Sequence, residues 1–118
     1  MTDTTADILQ RLRWYESIVH AAPVWCTVYD GPNDRFLWAN PAMLQDVGNV
    51  VGRPFSDFVI SRDIDSTRDV VDDQKKGATL AGFVNTYRLR DGSTVDIEWF
   101  AREPLDLGLI CAMGVPRG

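Results

Sequence analysis

Imidazole and thiol groups, the side chains best suited to nucleophilic, acid–base or soft-metal chemistry, are confined to His20, Cys26 and Cys111. The two cysteines lie 85 positions apart and there is no second histidine, so a four-ligand zinc site would need two carboxylates as well. A Cys–His nucleophile pair is formally open to His20 and Cys26. Cys26, however, sits in the apolar run Val24-Trp25-Cys26-Thr27-Val28-Tyr29, where a cysteine reads as a small core residue. The chain has no phosphate-cradling glycine loop, no Gly-x-Gly-x-x-Gly after a strand and no Gly-x-Ser-x-Gly elbow. Its carboxylates gather at Asp65, Asp69, Asp72 and Asp73, the pattern of a solvated helix face. No metal site and no enzymatic apparatus is expected.

Composition narrows the partners. The chain has 118 residues, 45% hydrophobic and 25% charged, which suits one globular domain with one core. The net charge of −5 disfavours nucleic acid or an anionic membrane as the main partner. No apolar run approaches the roughly 18 residues of a membrane span, and Met1 to Gln10 lacks the layout of a secretory signal. Two cysteines are too few for a disulfide scaffold, so a cytoplasmic location with reduced thiols is expected.

The elements follow from periodicity. Ile8, Leu12, Tyr15, Val19 and Ala22 recur at spacings of 4, 3, 4 and 3, a heptad seam. Leu9, Trp14 and Ile18 widen it. The spacing predicts a helix over 6–22, capped by Thr4 or Thr5 and ended by Pro23. Either it lies on its own domain or it packs on its copy in a homodimer. If the latter, Trp14 and Ile18 are the flank expected to rest on the domain, and the seam is the dimer interface.

Residues 24–29 and 35–39 read as a hairpin around the turn cluster Asp30 to Asp34. Asn40 before Pro41 predicts a helix over 41–47, ended by Gly48. A short helical stretch is expected over 54–58, and a longer helix over 61–76 with Ser61 as N-cap and Gly77 beyond its end. Ile60, Ile64, Thr67 and Val71 share one face of it. From residue 81 the period becomes two. Strands over 81–90 and 95–102 are joined by Asp91-Gly92, and Pro104 to Gly108 makes a second turn before a last, central strand over 109–115. The fold class is α+β: a five-stranded antiparallel sheet flanked by short helices and one longer helix. The N-terminal helix, residues 1–22, precedes the main domain, 23–118.

Three segments, in this order, carry a resemblance. Trp38-Ala39-Asn40-Pro41-Ala42 resembles the strand-to-helix junction of PAS domains. Val51-Gly52-Arg53-Pro54 resembles their h-x-G-x-P segment, and Tyr87-Arg88-Leu89-Arg90-Asp91-Gly92-Ser93 their R-x-R-x-D-G-S hairpin. The resemblance spans about residues 14–115. It implies a sensory or interaction module that holds a small molecule between sheet and helices and often dimerises through an N-terminal helix.

The family's cofactors can be checked against these residues. Its flavin photosensors form an adduct within an Asn-Cys-Arg-Phe-Leu segment, and nothing similar stands between Gly52 and Arg62. Its haem sensors take an axial histidine within Arg-Asp-His-Asp, where this chain has Arg62-Asp63-Ile64-Asp65. Neither cofactor is expected, and no residue argues for non-covalent FAD. Signalling members commonly end the last strand in Asp-Ile-Thr before an effector domain. Here Pro116 holds the aspartate position, which puts transmission through a C-terminal helix in doubt for a fragment and a free-standing domain alike.

In the family's usual register, Phe83, Asn85, Tyr87, Ile97, Trp99 and Ala101 face the helices, and Leu44, Phe58, Ile64 and Val71 approach from the other side. This row favours a neutral, aromatic or apolar ligand, with Asn85 either orienting it or bonding within the protein. Three large aromatics could also fill the interior themselves. A ligand-free protein-interaction module therefore stands beside the ligand sensor.

Overall fold

The computed structural model describes residues 4–104 and 108–117. The reading of Pro104 to Gly108 as a turn falls largely on residues 105–107, outside the described residues. Helix α1 spans Thr5–Ala21, and the hydroxyl of Thr4 accepts from the Asp7 amide to cap it. Strands β1 (Trp25–Asp30) and β2 (Arg35–Ala39) form the first hairpin. Helix α2 (Pro41–Val47), two short 3-10 turns (Phe55–Asp57 and Ser61–Asp63) and helix α3 (Ile64–Lys75) follow. Strands β3 (Leu80–Arg88), β4 (Thr94–Ala101) and β5 (Leu109–Arg117) close the chain. The sheet order is β2-β1-β5-β4-β3, every pairing antiparallel, with β5 at the centre.

The expected α+β fold is what forms. The helices between β2 and β3 cover one face of the sheet. Met43, Val47, Phe55, Phe58 and Val71 from that side meet Trp25, Tyr29, Tyr87, Ile97, Trp99 and Ile110 from the sheet in one core. Rings set its geometry: Trp25 stands edge-on to Tyr87 at 5.2 Å, and Tyr29 edge-on to Phe36 at 4.8 Å.

Two local departures from the sequence reading have physical causes. The long helix begins at Ile64 and not at Ser61. The Asp63 carboxylate, well placed for a cap, instead accepts from the Thr86 amide at 2.9 Å, so the chain enters α3 through a 3-10 turn docked on β3. In β3 the pairing slips between Ala81 and Phe83, with Gly82 at φ 80°. This bulge exposes Ala81 and turns Leu80 toward the interior opposite Ala101.

Helix α1 stands clear of this body. It has no buried residue, and the molecule reaches 51 Å along its long axis. Trp14 is 56% exposed and Ile18 67%, so the flank expected to rest on the domain does not. Only the C-terminal end, at Val19 and Ala22, is half-buried, because Asn40 holds it. The Asn40 amide donates to the carbonyls of Val19 and Val24 and accepts from the Cys26 and Met43 amides. Beyond that joint the apolar stripe finds no surface on its own subunit.

Candidate ligand pocket

Between α3 and the sheet lies a cavity of about 60 Å³. Its helical wall is Thr67, Val70, Val71 and Gln74, at the spacing of one helix face. Facing it are Phe83 and Asn85 of β3, Trp99 of β4, Tyr29 of β1 and Ile110 of β5. The first 3-10 turn contributes Phe55.

Three of the polar groups in this apolar shell are paired in a specific way. The Trp99 indole N–H donates to Asn85 Oδ1 at 2.7 Å, and Asn85 Nδ2 donates to Thr67 Oγ1 at 3.1 Å. Asn85 therefore bridges the sheet to α3. Gln74 differs. It is 3% exposed, and its Nε2 is buried without a hydrogen-bond partner. An unpaired buried amide of this kind costs about 1–3 kcal/mol.

A second polar cluster braces the cavity's rim. The Tyr29 hydroxyl donates to Asp34 Oδ1 at 2.5 Å and accepts from the Phe55 amide, while Arg68 of α3 donates to the same Asp34 oxygen at 2.7 Å. Arg68 also lies over the Phe55 ring, 4.5 Å from its centroid. Burial pushes the Asp34 carboxyl up, but hydrogen bonds from Arg68 and Tyr29 and the guanidinium charge outweigh it and hold it below the usual range. Burial, and then the bond to Asp34, push the Tyr29 phenol up.

The far face of the sheet is largely uncovered. A groove of about 510 Å³ runs across it, lined by Val28, Trp38, Phe100, Cys111 and Met113 beside the root of α1 at Val19. Cys26 lies on this face, and burial pushes both thiols up, so they stay protonated at neutral pH. His20 Nδ1 lies 2.9 Å from the Glu16 carbonyl oxygen, and its ring is 5.9 Å from that of Trp38. Among the described residues, no group of three or more His, Cys, Asp or Glu side chains is close enough to hold a metal ion. No described helix is long and apolar enough to cross a membrane.

No protein-family model matches the sequence, and no curated protein matches it. Solved structures do. A domain of a sensory box sensor histidine kinase/response regulator from Geobacter sulfurreducens aligns at TM-score 0.68 and 21% identity, covering 94% of this chain and 98% of that one. The PAS domain of an HTR-like protein from Haloarcula marismortui aligns at 0.71 and 20%, covering 93% and 94%.

The chain has the PAS fold.

A LOV protein from Rhodobacter sphaeroides shares it at TM-score 0.71 and 16% identity, covering 93% of this chain and 68% of that one. Set on the PAS fold, the expected pocket residues divide. Phe83, Asn85, Tyr87, Trp99 and Val71 line the cavity. Ile97 and Phe58 are buried in the core away from the cavity wall, and Leu44 and Ile64 are half-buried at the core's margin. The cavity lies over α3 from Thr67 to Gln74, while Asp63 and Arg62, both bonded to Thr86, pin the helix start to β3. That leaves Ile64 no opening to face. Ala101 packs on the core's edge and borders the outer groove.

Sequence reasoning missed Gln74, Tyr29, Phe55 and Ile110. Gln74 follows Thr67 by seven positions and Val71 by three, so its place in the stripe was the available signal. Tyr29 and Ile110 are opposite one another in the β1–β5 pairing, which no local pattern specifies.

Proposed function

We propose that this chain is a sensory signalling module. Its cavity takes a compact, neutral, largely apolar molecule, and it pairs with a second copy through α1. The cavity between α3 and the sheet carries this reading, since it sets a polar Asn85–Thr67 bridge among aromatic and aliphatic walls, the usual make-up of a small-molecule site. The PAS fold of sensor-kinase domains and of a LOV protein supports it. At about 60 Å³ the cavity is smaller than the hundreds of Å³ of ordinary ligand sites, so an aromatic ligand would have to displace one of the lining rings.

The module carries no haem on an axial histidine, since Ile64 stands at that position, and no cysteinyl–flavin adduct, since neither cysteine lies between Gly52 and Arg62. Non-covalent FAD is not part of the reading. The module is not an enzyme. It works in the cytoplasm on a partner effector, not on nucleic acid or a membrane.

Exposed apolar residues along α1, Ile8, Leu12 and Tyr15 foremost, support the homodimer, because a stripe of that length seldom stays in water. A second reading, a ligand-free interaction module, is favoured by how much of the interior Trp25, Tyr87 and Trp99 already fill. Native mass spectrometry of protein purified from cells separates the two. A co-purifying small molecule supports the sensor, and bare protein mass after incubation with cell extract supports the interaction module.

A further inference from the structure

We propose that Gln74 makes this cavity a site for small neutral carbonyl compounds, the ligand's oxygen accepting from Nε2; this rests on the ligand-binding reading above. Thr67 Oγ1, Asn85 and the Trp99 indole satisfy one another across the cavity. The Gln74 amide on the same wall has no partner for Nε2. Buried polar atoms in folded proteins are nearly always bonded, and an exception on the wall of a cavity points to what the cavity holds.

The surroundings narrow the occupant. Thr67, Asn85 and Trp99 are bonded to one another, which leaves the Gln74 Nε2 as the buried donor without a partner on this wall. No Lys, Arg, Asp or Glu side chain lines the cavity, so a charged ligand would have no counter-ion. A carbonyl oxygen only accepts, which matches a donor left without a partner. Val71, Phe83 and Ile110 offer apolar contact to the rest of the molecule. The volume of about 60 Å³ limits size. At roughly 10–15 Å³ for each water-sized centre, it holds on the order of five non-hydrogen atoms.

The test titrates the full chain with 2-butanone and with its isosteric alkene, 2-methyl-1-butene, followed by two-dimensional NMR. The ketone is expected to shift the Gln74 side-chain NH₂ signals and the Val71 and Ile110 methyls, and to bind at least tenfold tighter than the alkene. In Gln74→Met the preference should fall to within about twofold, with the circular dichroism spectrum unchanged. Without ligand, Gln74→Met is expected to melt at the same or a higher temperature, since it removes an unpaired buried donor. A lower melting temperature would mean that the amide is already satisfied, and would overturn the proposal. Equal binding of ketone and alkene by the wild type would also overturn it while leaving the sensor reading standing. If neither probe moves the Val71 and Ile110 methyls, and no small molecule co-purifies with the protein, both readings fall.

Discussion

The indole nitrogen of Trp99 and the amide oxygen of Asn85 lie 2.7 Å apart on neighbouring strands, and this one bond fixes which way the Asn85 amide is turned. With the oxygen committed to Trp99, Nδ2 must point at Thr67 on α3. Removing one member strands the others. Asn85→Leu is expected to cost about 2 kcal/mol, mostly the desolvation of the abandoned indole N–H. The double variant Asn85→Leu, Trp99→Phe should cost less than the sum of the singles by about 1 kcal/mol, since removing both partners leaves no orphan. Urea titrations of the four proteins measure this. Simple additivity would show that the bond carries no weight.

Gly114 sits in β5 where the sheet meets the Trp99 ring. A Cβ added there would approach Ile97 Cγ2 and Trp99 Cζ3 to 2.8 Å. Gly114→Ala should therefore destabilise the fold by about 1–3 kcal/mol through overpacking. An unchanged urea midpoint would mean that Trp99 can shift freely.

The Tyr29–Asp34–Arg68 cluster predicts an acid limb. The folded state holds the Asp34 carboxyl below its unfolded value, so its contribution is complete above about pH 4 and is lost as pH falls through the lower, folded value. Asp34→Asn removes that contribution and suits the local φ of 54°. The stability gap between wild type and variant should be constant from neutral pH down to about 5, then close as pH falls through the lowered folded value. A gap that widens in acid would contradict the assignment.

The exposed stripe of α1 makes a separable prediction. Ile8, Leu12 and Tyr15 are all about half exposed, so charging Ile8 and Leu12 should leave subunit stability within about 0.5 kcal/mol. The same change is expected to convert a dimer to a monomer by light scattering. A wild type that is already monomeric at high micromolar concentration would rule out the α1 dimer.

The local sequence carried the fold well where short-range chemistry decides. Asn40-Pro41 and Gly48 marked α2 to the residue, and Asp91-Gly92 marked the β3–β4 turn. It carried less where a tertiary partner outbids a local one. Asp63 gives its carboxylate to Thr86 and not to its own helix. Strand β5 runs through Pro116, which pairs opposite Ile97, although proline normally signals an end. An amphipathic stripe shows that α1 has a surface to bury but not whose, which is why the sequence does not reveal that Trp14 and Ile18 stand clear of the domain. Gln74 illustrates the limit for the pocket. A polar residue inside a stripe looks the same in sequence whether it borders solvent or faces a cavity.

Asn40 gives α1 a mechanical property. The helix is about 25 Å long, at 1.5 Å per residue, and one buried side chain ties its last turn to both β1 and α2. Such an element is a lever with its fulcrum at the sheet. A tilt of about 10° at that joint swings the far end by roughly 4 Å, given the length set by the helical rise. A displacement too small to disturb the core becomes, at Thr5, as large as the gap between two packed side chains.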